Sequence, residues 1–304
     1  MKWLFVIVIG VVIPFLNKEN QQIDSEAALG KKLFFDPILS RKRSISCASC
    51  HRPEFGFADT SAFSLGDDGK SGKRNTPSVQ NMADRSHFFY DGRASSLEEQ
   101  IFGPIQDPLE MNLSLGEAIS RLKEDKEYLK LFNKIYGQDP DSLNLGKAIA
   151  AFERTLETYP TAWDKHAKGK KQMSESAQRG HRIFNEKGKC FDCHFGPDFT
   201  GDEFRNIGLY NGTNLSDLGR GAITGLAEDA GKFKVPGLRN VGKTAPYMHN
   251  GMFRTLREVI DYYDNPDHFV SDAINRDTSL AKPLGLTERE KQDLEAFLRA
   301  LDAL

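Results

Sequence analysis

The segment Cys47-Ala48-Ser49-Cys50-His51 constrains this chain more than any other, and its pattern returns at Cys190-Phe191-Asp192-Cys193-His194. Two cysteines three positions apart, followed at once by histidine, form the attachment signature of c-type haem. The thiols add to the two vinyl groups of one porphyrin, and the adjacent imidazole then serves as an axial ligand to the iron. A lone Cys-x-x-Cys would equally suit half a zinc site or a redox pair. Here both copies carry the histidine, and together they use all four cysteines of the chain. No thiol remains for a disulfide or an all-cysteine zinc site. Two covalently bound c-type haems are expected, one on Cys47, Cys50 and His51, the other on Cys190, Cys193 and His194.

A length of 304 residues suits one large or two ordinary domains, and a hydrophobic content of 39% is low for that length. Covalent haem supplies apolar surface around which a small domain can build its core. A formal net charge of -2 gives no electrostatic case for a nucleic-acid partner. Residues 1–20 carry Lys2, an apolar run from Trp3 to Leu16, and then polar Asn17-Lys18-Glu19-Asn20. The run is short for a membrane span and suits the apolar region of a signal peptide. No clear small-x-small cleavage site follows, so a cleaved signal peptide and an uncleaved N-terminal anchor both stay open. Either places the body outside the cytoplasm, in the periplasm, where c-type haem is assembled.

Asp24 or Ser25 can cap a first helix from Glu26 to about Phe35, which carries Leu29-Gly30-x-x-Leu33-Phe34. The theme repeats before the second attachment site, with Ser174 as cap and then Arg179-Gly180-x-x-Ile183-Phe184. This echo, at the same place relative to two sites 143 residues apart, implies two cytochrome-like halves. Between Phe55 and Pro77 the chain is rich in Gly, Ser, Asp and Lys and reads as a long loop. Ser96 with Glu99 makes a capping box for a short helix. Leu115–Phe132 and Leu145–Leu156 space their apolar residues as helices do. Tyr159-Pro160 breaks the latter and puts a domain boundary near 160, dividing the chain into 1–20, 21–160 and 161–304. Glycine-rich sequence from Thr200 to Gly242 predicts loops and one short hairpin. Leu256–Tyr263 is helical, and a last helix to about Leu301 opens on a Thr287/Glu290 capping box. The fold expected is mostly α, with two cytochrome c-like haem domains and long irregular loops.

Further motifs lie in order along residues 25–303. They are Arg74-Asn75-Thr76-Pro77-Ser78, Tyr90-Asp91-Gly92-Arg93-Ala94, Gly103-Pro104, and Pro108-Leu109-Glu110-Met111. Ala148-Ile149-Ala150-Ala151-Phe152-Glu153-Arg154-Thr155, Val235-Pro236-x-Leu238-Arg239-Asn240-Val241 and Thr244-Ala245-Pro246-Tyr247-Met248-His249-Asn250-Gly251 complete the set. With both haem sites, these motifs give a chain that resembles the bacterial dihaem cytochrome c peroxidases. The resemblance implies that the haem on His51 is peroxidatic, with an open distal face, and that the haem on His194 is six-coordinate and relays electrons. It implies that Glu110 is the distal acid–base carboxylate. It also implies a calcium ion between the haems, held by Asn75 and the carbonyls of Thr244 and Pro246, oxygen donors that suit a hard cation.

Three departures from that family's pattern bear on function. Many of its peroxidases place a histidine in the loop after the first haem, blocking the iron until the other haem is reduced. Here no residue from Arg52 to Ser86 is histidine, so the first haem is expected to be open without reductive activation. The electron-transfer haem of the family usually takes a methionine fourteen positions after the histidine that matches His249, where this chain has Tyr263. In both respects the chain is similar to the methylamine-utilisation dihaem enzyme, which matures a tryptophan-derived quinone. Third, Tyr90 stands where both subfamilies carry a tryptophan between the haems. Tyrosine is also aromatic and redox-capable, and Tyr90 is taken as a catalytic relay.

The leading function is reduction of hydrogen peroxide to water, with electrons from a small cytochrome c or cupredoxin. The alternatives are oxidative maturation of a protein substrate and, less favoured, a dihaem electron carrier without catalysis. An open iron and Glu110 would gain a carrier nothing. Tyr263 competes with Met248 and Met252 as axial ligand to the second haem, and with plain packing beside Tyr262. His249 reads as a partner of propionates or backbone, and Arg93 as the brace of a turn. His87, His166, His181 and His268 read as surface residues, as do Lys165, Lys168, Lys170 and Lys171.

Overall fold

The computed structural model describes residues 23–304, so the N-terminal segment 1–20 lies outside it. Helices α1 (Glu26–Phe35), α2 (Cys47–Cys50), α3 (Leu97–Gln100), α4 (Phe102–Gln106), α5 (Leu115–Glu124), α6 (Lys126–Tyr136) and α7 (Ser142–Glu153) form the first half of the chain. The second half holds α8 (Ala162–Ala167), α9 (Glu175–Asn185), α10 (Gly221–Thr224), α11 (Leu256–Asp264) and α12 (Glu288–Arg299). Two two-residue strands, β1 (Phe204–Arg205) and β2 (Phe233–Lys234), pair antiparallel. Short 3₁₀ turns and long loops join these elements, so the fold is mostly helical.

Each half is organised by one helix crossing. In the first, α1 lies so close to α7 that a Cβ on Gly30 would stand 1.8 Å from the Ala148 carbonyl oxygen. Phe34 and Phe152, four residues further along each helix, meet edge to face with centroids 5.2 Å apart. In the second, a Cβ on Gly180 of α9 would stand 1.9 Å from the Asp293 carbonyl oxygen of α12. Phe184 and Phe297, again four residues on, lie 5.2 Å apart at nearly the same angle. Glycine is needed at both crossings because any side chain would enter backbone. The hydrophobic clusters follow the halves: one runs from Ile23 to Leu156, another from Ala162 to Leu301, and a smaller one gathers around Leu209, Phe253, Tyr262 and Val270.

Local signals account for most helix starts. The side chains of Ser25, Ser174 and Thr287 each accept a backbone N–H at the heads of α1, α9 and α12. The reciprocal capping box of Thr287 and Glu290 forms as the sequence implies. Three expectations need correction. The apolar spacing from Leu115 to Phe132 is broken into α5 and α6 at Asp125, whose backbone is extended and whose carboxylate caps the N–H groups of Glu127 and Tyr128. An N-cap in mid-pattern outweighs periodicity, because four orphan N–H groups need acceptors. The Ser96/Glu99 box is incomplete: Ser96 Oγ accepts from Glu99 N, but the Glu99 carboxylate reaches Ser95 N and Oγ, each at 2.8 Å. Finally, α7 ends at Glu153, before Tyr159-Pro160 is reached. The hairpin expected between Thr200 and Gly242 is the β1–β2 pair, which closes a long loop rather than a tight turn.

Polar groups join the halves. The buried Arg239 guanidinium, ion-paired within the second half with Asp164 and Asp198, also donates to the carbonyls of Pro197 and, across the halves, of Thr158. Arg74 of the first half pairs with Asp91 at 2.6 Å and with Asp217 of the second at 2.7 Å.

Candidate haem site

One cavity of about 1310 Å³ reaches both attachment segments, with Cys47, Cys50, His51, Cys190, Cys193 and His194 all in its wall. An ordinary small-molecule pocket holds roughly 300–1,000 Å³. Each segment is presented by a short turn of helix, α2 for the first and a 3₁₀ turn over Cys190–Asp192 for the second. No disulfide joins any two of the four cysteines. Burial pushes Cys47 and Cys190 up to about 12 and Cys50 to about 11. Thiols held that far from ionisation do not suit a redox pair, which works through the thiolate. They suit groups buried against an apolar ligand.

The two histidines are set in the same way. His51 Nδ1 lies 3.1 Å from the Phe57 carbonyl oxygen, and His194 Nδ1 lies 2.9 Å from that of Phe199. A carbonyl can only accept, so Nδ1 carries the proton and Nε2 keeps its lone pair for a metal. Burial lowers both imidazoles' affinity for a second proton, which keeps them neutral. Paired thiols, a neutral imidazole fixed by its far nitrogen and an apolar wall fit a covalent haem at each site.

Glu110 lines this cavity between α4 and α5. Burial raises its proton affinity, the Asp107 carboxylate adds to that, and the Arg93 guanidinium opposes it. The loop after the first site is fastened over it, for Asp67 N donates to Glu110 O at 2.7 Å. Arg41 holds Asp67 at 2.9 Å and, with Lys42, also pairs with Asp68. From that loop Ala58, Ser64, Gly66, Gly72 and Lys73 to Pro77 reach the cavity, and none of them carries an imidazole or a thioether. The thioethers of Met82 and Met111 also reach it, but both pack with the first hydrophobic cluster.

Tyr90 is in the wall where the halves meet; its carbonyl accepts from Lys234 N at 2.7 Å, and burial pushes its phenol well above the usual range. Tyr263 of α11 lines the cavity at the second site, its phenol raised by burial and by nearby Tyr262, Cys193 and Cys190. Met248 lines it too, whereas Met252 is exposed and does not. Asn75, Thr244 and Pro246 all line the cavity, and Asn75 N donates to the carbonyl of His249, three residues after Pro246, at 2.7 Å. The Asn75 amide N–H groups are spent on the carbonyls of Ser61 and Ala62, which leaves its Oδ1 for another partner. His249 is buried, stacked on Phe233 at 3.8 Å, and held down to about 4 by burial.

Several residues were misjudged or missed by sequence reasoning. His181 is half-buried against Trp163 and Phe297, and His87 packs on Phe204 across the halves, so neither is a plain surface residue. Arg93 does brace the Asp91 turn, but it also lies 3.5 Å over the Phe89 ring and lines the cavity. Gln100 and Glu153 line the cavity as well; Glu153 stands in one of the motifs quoted above but was given no role there, and nothing in its local sequence marks Gln100.

Residues 24–172 match the family model described as di-haem cytochrome c peroxidase. The chain is 40% identical to the methylamine utilization protein MauG of Methylophilus methylotrophus over 91% of its own length and 82% of that protein's. The chain belongs to the dihaem cytochrome c peroxidase family. It is also 37% identical to the cytochrome c551 peroxidase of Nitrosomonas europaea, covering 82% of this chain and 75% of that one. Among solved structures, a MauG-like protein associated with microbial copper homeostasis superposes with a TM-score of 0.83 at 30% identity, covering 91% and 89% of the two chains. As a family member with both attachment sites complete, the protein carries two c-type haems.

Proposed function

We propose that the protein is a periplasmic dihaem peroxidase that reduces hydrogen peroxide to water with two electrons and two protons, the electrons supplied by a small cytochrome c or cupredoxin. The observation that carries this reading is Glu110, a carboxyl with raised proton affinity in the cavity of His51, beside a loop that brings neither imidazole nor thioether into that cavity. When bound, the haems supply the redox chemistry and the iron to which peroxide binds. The chain's own residues manage the protons. Glu110 takes the proton from one peroxide oxygen and returns it to the other, so that the leaving oxygen departs as water. Arg93 lowers the cost of the carboxylate form in between. The bond from His51 Nδ1 to Phe57 O holds the proximal imidazole in one tautomer. Tyr90, buried at the junction, serves as an aromatic relay between the halves.

On this reading the halves divided near residue 160 are two cytochrome c-like haem domains, the first peroxidatic and the second for electron transfer. Asn75 Oδ1 and the Thr244 and Pro246 carbonyls would hold a calcium ion, and Tyr263 would be the axial ligand of the second haem, with Met248 as its rival. Export rests on the N-terminal apolar run; among the described residues no helix is long and apolar enough to cross a membrane.

A second reading, oxidation of a protein substrate, is favoured by Tyr263. A phenolate is a harder, anionic ligand that lowers a haem's potential and suits it to hold an oxidising equivalent rather than a stored electron. A steady-state peroxide assay with several reduced small cytochromes and cupredoxins separates the two. Turnover with one of these donors supports the peroxidase. Peroxide consumption with none of them supports the protein-oxidising form.

A further inference from the structure

The cavity wall beside the first haem holds a carboxyl that the mechanism above does not use. Glu153, the last residue of α7, is 4% exposed and lines the cavity, and its Oε2 has no hydrogen-bond partner. Its place is defined by the helix crossing: it follows Phe152, the ring that meets Phe34. In the other half the residue after Phe297 is Leu298, in the same cavity wall. Ile149 and Leu294, one turn earlier, also correspond and also line it. At matched positions one haem is therefore walled by leucine and the other by an acid.

An unpartnered buried carboxylate is costly, so such a group is kept only where it is neutral or where a charge beside it varies. The groups around Glu153 supply little fixed charge. The residues that α1 buries at the crossing are Leu29, Gly30, Leu33 and Phe34, all uncharged. From α2 comes Cys47, whose thiol is neutral and becomes a thioether on haem attachment. From α3 comes Glu98, already paired at 2.7 Å with Arg154, the residue that follows α7. Glu110 and His51 share the cavity. Glu110 is already occupied with the peroxide proton, and the other changing charge is the haem's own.

We infer that Glu153 is the proton-holding partner of the first haem. When that haem gains one electron from a one-electron donor, the Glu153 carboxylate takes one proton from solvent, and on reoxidation it releases it. One electron and one proton leave the charge of the pocket unchanged, which is what a low-dielectric site favours. In support, burial raises the carboxyl to about 8, with Glu98 adding to the rise and Arg154 opposing it. The inference needs only haem at the first site, and it does not depend on whether peroxide or a protein is the substrate.

The test is a spectroelectrochemical titration of the holoprotein with small-molecule mediators, repeated across the window around pH 8. In the wild type the first haem's midpoint should fall as pH rises, by up to about 59 mV for each tenfold drop in proton activity. Glu153→Gln, close in shape and unable to ionise, should flatten that dependence, as should Glu153→Leu, which copies the second half. Glu110→Gln should keep it. Reduced-minus-oxidised infrared spectra should show a protonated-carboxyl band in the wild type that Glu153→Gln removes. A slope that survives Glu153→Gln, or that disappears in Glu110→Gln, would overturn the assignment. If Glu153→Leu fails to load haem, the Gln variant still decides.

Discussion

The two halves of the molecule use the same helix crossing and surround it with different chemistry. Gly30 against Ala148 and Gly180 against Asp293 set equal helix approaches, and each pair of phenylalanines locks the next turn. Around that shared frame the first half places Glu110 and Glu153 in the cavity wall without an ion-pair partner among the described residues. The second places Leu298 at the position matched to Glu153, adds the phenol of Tyr263, and keeps its own wall carboxyls, Asp217 and Asp277, paired with Arg74 and Arg205. The crossings themselves also differ. Ahead of Gly180 stands Arg179, paired with Asp293 at 2.7 Å, where the first half has buried Leu29 and Ala148. A scaffold that holds haem is thus indifferent to most of what faces the haem, and function can be written onto the facing residues.

The comparison is tested most strongly at Glu110. If the first half alone cleaves peroxide, Glu110→Gln should leave both haems bound yet slow cleavage roughly 100-fold, the usual scale for a positioned acid–base group. Stopped-flow mixing with peroxide reads this, and unchanged rates would move the role to another residue.

Next in size is the second site. Tyr263→Met exchanges a hard anionic oxygen for a thioether and should raise the potential of the haem on His194, by on the order of 100 mV within the ~0.8 V that axial ligands command. A potential already high in the wild type and unmoved by the exchange would assign the ligand to Met248 instead.

The equivalence of the crossings can be broken one half at a time. Gly30→Ala and Gly180→Ala each push a methyl into a carbonyl, and each should cost about 1–3 kcal/mol by overpacking. Denaturant unfolding, followed through each haem's own absorption, should show losses of similar size. A loss confined to one variant would end the argument that the frame is duplicated.

The smallest effect expected is one of pH. The Arg179 guanidinium, through its hydrogen bonds, holds Asp293 below the ordinary carboxylate range, with Ser176 adding to this. A lowered folded-state value contributes stability that is present above the unfolded value of about 3.9 and is lost as pH falls through the folded one. The second half should therefore loosen in acid before the first, whose crossing is apolar. Amide exchange in α9 and α12 against α1 and α7 reads the difference, and Asp293→Asn should abolish it.

Both haem attachments were legible in the sequence because the chemistry is local: two thiols and an imidazole must be contiguous to serve one porphyrin. The heads of α1, α9 and α12 were legible for the same reason, since a cap and its N–H partner lie within three residues. The resemblance carried Glu110, Tyr90 and Tyr263 into the site, and all three line the cavity. What sequence reasoning misplaced was decided by competition at longer range. Asp125 splits a periodic stretch because its carboxylate is committed to capping, and His181 is half-buried because the rings of Trp163 and Phe297 pack against its own.

By itself, then, the sequence determined which atoms can bond covalently to haem and where helices can start, both matters of neighbours along the chain. Only the tertiary structure decided that both sites open into one cavity, that Glu153 and Leu298 stand at matched positions in its wall, and that the loop from Ser64 to Gly72 is fastened over Glu110. Those outcomes depend on contacts between residues tens to hundreds of positions apart, where the cost of burying charge and the geometry of packed backbones select the arrangement and no local pattern records it.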